Sequence, residues 1–248
     1  MPLSERQTRI LSELKNRPGI TVKELAPLLF VSEPTVRRDL TELEKRGFLT
    51  KKYGGAILRF GAADREIPFY IRENENVSLK SAMAARAAEL VPDGATVMLD
   101  GSTSAYYLAE HLAAKKDIIV ITSGAKTAVA LADADVRVFC TGGQMLIHSF
   151  SYVGAQAESF VSTMNADILF FSCHGLSSDG TLTDPSVEEA NLRRVMFKSA
   201  KKKYLLCDKS KFDRTFLYNF GSVSELDGII SDGAVPEHIR KMLKGESL

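Results

Sequence analysis

The sequence has few features that would place the protein outside the cell or in a membrane. It contains three cysteines among 248 residues, and Cys140, Cys173 and Cys207 lie far apart in apolar segments. Without paired spacing they predict reduced core residues and no zinc site. No apolar run approaches the length of a membrane span, and the first ten residues lack the order of a secretory signal. We therefore expect a cytoplasmic protein with no membrane partner, no metal ion and no cofactor.

Net charge is also almost absent, because 32 Lys and Arg residues face 31 Asp and Glu residues. The balance hides an asymmetry: residues 1–60 hold 12 Lys+Arg against 7 Asp+Glu, and the remainder holds 20 against 24. A basic segment followed by an acidic one indicates that the first part meets a polyanion, although solvated charged faces are common. With 45% hydrophobic residues, the chain is globular and long enough for two domains.

Three helical patterns fill the first 47 residues. The first covers residues 4–15, and the second begins at Thr21, which has a glutamate at capping-box spacing. Pro27 lies inside the second pattern and should kink or shorten it. The third runs from its N-cap Ser32 to Gly47, a residue type that commonly ends helices.

The third pattern has an apolar side and a basic side. Val36, Leu40 and Leu43 recur at i, i+4 and i+7, so they predict one buried stripe. The opposite side carries short polar side chains and guanidinium groups. Arg forms bidentate hydrogen bonds to guanine or phosphate, and small residues let a helix enter the major groove. On this helix we predict DNA contacts from Ser32, Pro34, Thr35, Arg37, Arg38, Thr41 and Lys45.

The next segment, GFLTKKYGGAIL, predicts a two-stranded wing. Strands over residues 48–52 and 56–59 would be joined by Tyr-Gly-Gly, whose glycines suit the positive φ of a tight turn. A helical bundle with a solvated charged face could explain each part alone, but helix, turn, basic helix and basic wing in this order favour DNA binding. The predicted DNA contacts of the wing are Lys51, Lys52, Tyr53 and Gly54.

Residues 1–57 thus predict a winged helix-turn-helix, and residues 58–75, which lack a clear period, predict a linker. Residues 76–235 alternate apolar strands with turns and helices, and residues 236–248 predict a tail helix. The strands are continuous apolar runs, which is typical of strands covered on both faces, so we expect a mostly parallel α/β domain. The six predicted strands are 95–100, 117–122, 136–141, 167–173, 203–208 and 228–231.

Polar residues follow three successive strands, at the edge where parallel sheets bind ligands. Residues 100–104, Asp-Gly-Ser-Thr-Ser, combine hydroxyls with a helix start and favour an anion, although such a motif is ordinarily only a helix cap. Lys80 and Lys209 are by default surface lysines, and His174 is most simply a hydrogen-bonded pocket or core residue. The candidate effector-binding residues are Lys80, Asp100, Gly101, Ser102, Thr103, Ser104, Thr122, Ser123, Gly142, Gly143, His174 and Lys209.

The first domain resembles the N-terminal signature of the DeoR family of bacterial transcriptional regulators, in the stretch LAPLLFVSEPTVRRDLTELEKRGFLTKKYGGA. Pro27 departs from the uninterrupted helix of that family. The second domain resembles the family's effector-sensing domain, of ribose-5-phosphate isomerase-like fold, in DGSTS, ITSG, TGG, DGTLTD and CDKSKF. The resemblance implies a repressor of a carbohydrate-metabolism operon. Such a repressor would bind operator DNA as a homodimer or homotetramer and be released by a phosphorylated sugar or related metabolite.

A sugar-phosphate isomerase or hydrolase with an accessory DNA-binding module is the alternative. It needs a general base, and Asp100, Asp179, Asp184 and Glu188 are available, but no spacing selects one. We therefore assign no catalytic residue. A nucleoid protein is a weaker third possibility, which would bind DNA with little sequence preference and no ligand response. In the repressor, movement of the linker around Ile67-Pro68 is the expected link between ligand and DNA.

Overall fold

A computed structural model describes residues 4–58, 68–244 and 246–247, and the chain divides into two units, residues 1–75 and 76–248. The described elements of the first unit are helices α1 (Glu5–Asn16), α2 (Val22–Leu28) and α3 (Glu33–Lys45), strands β1 (Leu49–Lys52) and β2 (Gly55–Leu58), and helix α4 (Phe69–Asn74).

Capping boxes fix the starts of the first two helices. The Ser4 side chain accepts a hydrogen bond from the Gln7 N–H, and the Gln7 side chain accepts one from the Ser4 N–H. Thr21 and Glu24 form the same reciprocal pair at the start of α2, so that prediction is confirmed. Pro27 lies in α2, which ends one residue later. Reciprocal caps satisfy two backbone donors that would otherwise lack partners.

Helix α3 carries the predicted apolar stripe, and its start differs from the prediction. Val36, Leu40 and Leu43 are buried in the core of this unit, and Gly47 follows the helix with a φ of +80°. Ser32 occupies the N-cap position but its side chain caps no N–H. Instead, its hydroxyl lies 3.0 Å from that of Thr35, which leaves the first turn of α3 without a side-chain cap.

Part of the predicted linker is helical. Residues 69–74 form helix α4, in which Phe69 and Ile71 are buried, and Ile71 belongs to the core of the first unit. The sequence hid this helix because it is only six residues long, too short to show a 3.6-residue period. Ile67 of the proposed hinge lies outside the described residues.

The second unit is built around a parallel sheet with strand order β14-β13-β11-β8-β3-β4-β5. Its described elements are α5 (Val77–Glu89), β3 (Thr96–Leu99), α6 (Thr103–Leu112), β4 (Ile119–Thr122), α7 (Ala125–Asp133), β5 (Arg137–Cys140), β6 (Gln144–Leu146), β7 (Ser151–Val153), α8 (Ala155–Ser162), β8 (Ala166–Phe171), β9 (Gly175–Leu176), β10 (Thr181–Asp184), α9 (Val187–Lys198), β11 (Ala200–Leu206), β12 (Tyr218–Ser222), β13 (Gly228–Ile230), α10 (Glu237–Arg240) and β14 (Glu246–Ser247).

Two layers cover the faces of this sheet. On one face Val97 and Leu99 pack with α5, α6 and α7. On the other face Met98 packs with α8, α9 and the antiparallel sheet β12-β10-β9. This alternation along β3 explains why the strand is apolar at every position, because each face has its own helical or sheet layer. The α/β prediction is confirmed. No helix among the described residues is long and apolar enough to span a membrane.

Two sequence predictions fail at the margins of the sheet. Cys173 and Cys207 are buried as expected, but Cys140 is exposed, because β5 is the last strand of the sheet and most of its residues are exposed. The predicted tail helix is confined to Glu237–Arg240. Beyond it, β14 pairs with β13 in parallel. This part of the tail is therefore a strand at the edge of the sheet and not a helix.

The strand order creates a crevice beside β3. The chain builds outward from β3 to β4 and β5, and then returns to place β8 on the other side of β3. Ligands of open parallel sheets bind where the order reverses, beyond the carboxyl ends of the strands. Here those ends are Asp100, after β3, and Ser172, after β8.

The packing of the central sheet makes a stability prediction. Leu205→Ala removes a fully buried side chain of β11, and we expect it to lower the free energy of unfolding by about 2–5 kcal/mol. The matched change Leu217→Ala removes a side chain that is 77% exposed and should alter stability by less than about 0.5 kcal/mol. Urea denaturation of both variants measures the difference, and equal losses would contradict the assigned core.

Candidate functional site

The outer side of α3 presents basic side chains to solvent. Arg37 and Arg38 are both exposed, and Arg37 forms an ion pair with Glu33 one turn earlier at 2.7 Å. Arg38 and Lys45 form no ion pair with any residue that the structure describes. These two cations are therefore available to an external partner, whereas Arg37 is already oriented along the helix.

The wing is fastened to α3 through Lys51. Its backbone N–H donates to Glu44 at 2.8 Å, and its ammonium donates to the Thr41 hydroxyl at 3.1 Å. The backbone hydrogen bond from Lys51 also lowers the pKa of Glu44. At the tip of the wing Tyr53 is fully exposed, and Gly54 adopts a φ of +78°. The wing thus presents an aromatic ring beside exposed Lys52.

A buried carboxylate on the inner side of α3 was missed by sequence reasoning. Asp39 is 6% exposed, and it accepts two hydrogen bonds from Arg6, from Nε at 2.5 Å and from Nη2 at 3.1 Å. This bidentate pair joins α1 to α3 and fixes the orientation of the helix that carries Arg38. No local signal in the sequence pairs these two residues, because 33 positions separate them.

In the second unit, Asp100 is fully engaged in hydrogen bonds. One carboxylate oxygen accepts from the Ser102 N–H at 3.1 Å. The other accepts from the Ser172 N–H at 3.1 Å and from Arg193 Nε at 3.0 Å. Asp100 thus joins the ends of β3 and β8 at the crevice.

Arg193 lies at the centre of this network. Its guanidinium donates to Asp100, to Asp184 at 2.6 Å and to Glu189 at 3.4 Å, and its side chain is 6% exposed. Burial lowers the pKa of Arg193, but the three carboxylates outweigh burial and raise it above its ordinary value. Arg193 was not predicted from the sequence, where only its i,i+4 spacing to Glu189 offered a signal.

Asp184 shares this network with His174. Burial raises the pKa of Asp184, but Arg193 and His174 together lower it well below its ordinary value of 3.8. His174 Nδ1 lies 3.0 Å from Asp184 Oδ2, so His174 is a hydrogen-bonded histidine of this network. His174, Asp184 and Glu189 place possible metal-ligand atoms within 4.8 Å of one another, but Arg193 already binds both carboxylates, which favours an ion pair over a metal site.

The predicted anion cradle, residues 100–104, is assembled but buried. The Ser102 side chain accepts from the Ala105 N–H at 3.1 Å, as a helix cap does. A β6–β7 hairpin covers the cradle, because a Cβ on Gly101 would lie 1.8 Å from the Ser151 hydroxyl oxygen. The adjoining cavity has a volume of about 10 Å³, which is the lower limit for one water molecule.

The remaining effector candidates divide by exposure. Thr122 and Ser123 are buried at the end of β4, next to the cradle, and Thr122 Oγ1 accepts from the Gly124 N–H at 3.0 Å. Lys80 is also buried, beside the Tyr107 ring, which corrects its default assignment to the surface. The other candidates are more exposed. Gly143 and its partly exposed neighbour Gly142 follow β5, and the exposed Lys209 follows β11.

A basic winged helix-turn-helix, followed by a parallel α/β unit with a polar crevice, defines a two-part transcriptional regulator. Residues 6–59 match the DeoR-like helix-turn-helix domain, and residues 75–233 match the DeoR C terminal sensor domain. The chain belongs to the DeoR family. The resemblance stated from the sequence is therefore confirmed.

Curated relatives match nearly the whole chain. It is 32% identical to the HTH-type transcriptional regulator GlpR of Haloferax volcanii, over 97% of this chain and 94% of the relative. It is 33% identical to the HTH-type transcriptional regulator GolR of Listeria innocua, over 98% and 96%. Identity to the glycerol-3-phosphate regulon repressor of Escherichia coli is 26%, over 98% and 96%.

Solved structures resemble the chain more distantly. Ribose 5-phosphate isomerase A of Neisseria gonorrhoeae is 16% identical with a TM-score of 0.40, and the match covers 54% of this chain and 52% of the isomerase. The sorbitol operon regulator SorC of Klebsiella pneumoniae is 12% identical with a TM-score of 0.38, over 84% of this chain and 91% of SorC.

The lowered pKa of Asp184 makes a pH prediction. Above pH 4 the ionised Asp184 stabilises the fold, and this contribution is lost as pH falls below about 4, because the unfolded chain binds the proton first. The free energy of unfolding should therefore fall between about pH 4.5 and 2.5 by roughly 1–3 kcal/mol more in the natural chain than in Asp184→Asn. The control Asp133→Asn changes an exposed carboxylate on α7 and should keep the natural slope. Denaturant titrations across this pH range test it, and an unchanged slope in Asp184→Asn would contradict the assignment.

Proposed function

We propose that the chain is a transcriptional repressor that binds operator DNA as a homodimer or homotetramer and releases it when a phosphorylated sugar or related metabolite binds the second unit. DNA binding is proposed from the outer side of α3. There Arg38 and Lys45 are exposed and have no ion-pair partner among the described residues. Family membership and the names of the relatives support regulation of transcription.

The DNA half assigns different tasks to the basic residues. Arg38 reads a base edge in the major groove, since its guanidinium pairs with none of the described residues and can form a bidentate contact. Arg37 is held by Glu33 and clamps phosphate or groove atoms with Thr35 and Thr41. Lys52 and the exposed Tyr53 contact the phosphate backbone from the wing, and Lys51 joins them when its bonds to Glu44 and Thr41 open. Two copies place their α3 helices one helical turn of DNA apart, or a multiple of that distance.

The effector half rests on the crevice at the end of β3. Hydroxyls and N–H groups of residues 101–104, Thr122 and Ser123 suit a phosphoryl group and sugar hydroxyls. One relative bears a name that points to such a metabolite, the glycerol-3-phosphate regulon repressor of Escherichia coli. The β6–β7 hairpin must move away from Gly101 for a ligand to reach this cradle, because Ser151 occupies it.

The geometry disfavours the enzyme alternative. Asp100 and Asp184 are both buried and ion-paired with Arg193, so neither carboxylate faces the solvent from which a substrate would come. Hydrogen bonds from Ser177 and Thr181 lower the pKa of Asp179, which weakens it as a base. Glu188 accepts a hydrogen bond from the Ser186 hydroxyl. A general base must be free to accept a proton from its substrate, and each of these four carboxylates already accepts hydrogen bonds within the chain. We therefore propose that the crevice binds its ligand without turnover.

Two substitutions on the DNA-binding surface should differ in their sequence dependence. Arg38→Ala should cost about 1–3 kcal/mol on operator DNA and relax discrimination at one base pair, because it removes a base contact. Lys52→Ala should weaken operator and scrambled DNA alike and reduce the salt slope by about one, because it removes a phosphate contact.

Fluorescence-anisotropy titrations on both DNAs at several salt concentrations make this comparison. Lys201→Ala is the matched control, since Lys201 is an exposed lysine of β11 paired with Asp167, and it should leave DNA affinity unchanged. If Arg38→Ala and Lys52→Ala lose affinity for operator and scrambled DNA in the same ratio, the assignment of Arg38 to a base and Lys52 to phosphate is refuted.

Thermal-shift measurements test the effector half. The compounds are pentose phosphates, hexose phosphates and glycerol 3-phosphate, each tested beside its unphosphorylated counterpart. We expect at least one phosphorylated compound to raise Tm and its unphosphorylated counterpart to leave Tm unchanged. A ligand present at 100 times its Kd stabilises the folded chain by about 2.7 kcal/mol, which raises Tm by several degrees. Absence of any phosphate-dependent shift would refute the effector class, and conversion of any stabilising compound into product would restore the enzyme alternative.

A further inference from the structure

The start of helix α7 is flanked by two buried hydroxyls that lack hydrogen bonds. Among the buried side-chain oxygens of the described residues, only Thr127 Oγ1 and Ser149 Oγ have no hydrogen-bond partner. Both residues are 1% exposed. An unpaired buried hydroxyl costs stability, and valine would fill nearly the same space as threonine without that cost. The two hydroxyls therefore indicate a partner that binds at this helix end.

The Thr127 hydroxyl points toward the first residue of the helix start. A Cβ on the N-cap residue Gly124 would lie 2.8 Å from Thr127 Oγ1 and 3.2 Å from the Cα of Gly101. Gly124 provides no side-chain cap to α7, and its lack of a side chain lets the cradle approach. Ser149 lies beside the same helix end, because its neighbour Phe150 accepts the Ala125 N–H at 2.9 Å.

Two helix N-termini therefore meet at this point. Helix α6 begins at Thr103, within the cradle, and α7 begins at Ala125, one residue after Gly124. Each N-terminus carries a positive partial charge, so their close approach is unfavourable until an anion lies between them. Lys126 adds a cation in the first turn of α7. Asp100 contributes little opposing charge, because Arg193 neutralises it.

We propose that the hydroxyls of Thr127 and Ser149, together with the first turn of α7, bind the phosphoryl group of the effector. This inference rests on the proposed effector function and extends it to two residues that the sequence did not suggest. Phosphoryl oxygens accept short hydrogen bonds from hydroxyl and N–H donors, which supplies the missing partners. Because Ser151 fills the space beside Gly101, the phosphoryl group enters as Ser151 moves away from Gly101.

The test compares Thr127→Val with Thr127→Ser. Without ligand, Thr127→Val should melt at the same temperature as the natural chain or higher, because it removes an unpaired buried hydroxyl. With the stabilising phosphorylated compound, its Kd should rise about tenfold, the effect of one lost hydrogen bond to a charged group. Thr127→Ser keeps the hydroxyl and should bind within about twofold of the natural chain. Ser149→Ala should weaken binding in the same direction as Thr127→Val.

The probes are inorganic phosphate and the panel of sugar phosphates, with Kd taken from the dependence of Tm on ligand concentration. The inference is supported if Thr127→Val weakens the binding of a sugar phosphate. If it also weakens the binding of inorganic phosphate, the free anion is a sufficient ligand. If ligand raises the Tm of the natural chain and of Thr127→Val with the same Kd, the inference is overturned and the proposed function stays intact. A marked loss of Tm in ligand-free Thr127→Val also overturns it, since the hydroxyl would then have a structural partner. Absence of any response in the natural chain overturns both.

Discussion

The arrangement of the second unit depends on one buried guanidinium. Arg193 binds Asp100, Asp184 and Glu189, and these residues come from the ends of two different sheets and from its own helix. A buried carboxylate is tolerated only when it is paired and hydrogen-bonded. Arg193 therefore makes it possible to bury three acids beside the crevice at the end of β3. Arg193 thus joins the carboxyl ends of two different sheets to helix α9 through a single side chain.

In the first unit, ion pairs hold α1, α3 and the wing together. Arg6 and Asp39 form a bidentate pair on the inner side of α3, which sets the position of the helix, and Lys51 and Glu44 attach the wing to it. Arg38, Lys45 and Lys52 form no ion pair with the part of the chain that the structure describes, and all three are exposed. The charges that hold this unit together and these exposed cations are thus distinct residues, although all of them lie within the first 52 positions.

Regular, local features were predictable from the sequence. The capping boxes, the stripe of Val36, Leu40 and Leu43, and the apolar strands follow from short-range spacing. Features that depend on distant residues were not. Arg193 lies 93 positions from Asp100, and the burial of Lys80 depends on packing against α6. The hairpin over Gly101 also escaped prediction, because its strands are three residues long. Cys140 was misplaced since an apolar run does not reveal whether its strand is central or at the edge.

The exposure of Cys140 has a practical consequence for solution work. The other two thiols, Cys173 and Cys207, are buried, and a hydrogen bond with Cys173 together with burial raises the pKa of Cys207 well above its ordinary value. Thiolates are the reactive form of cysteine, so a maleimide dye meets one accessible sulfur in the folded chain. That sulfur lies at the end of β5, just before the loop that leads into the β6–β7 hairpin. The natural sequence thus carries its own attachment point for a fluorophore that can report movement of this hairpin, without any engineered cysteine.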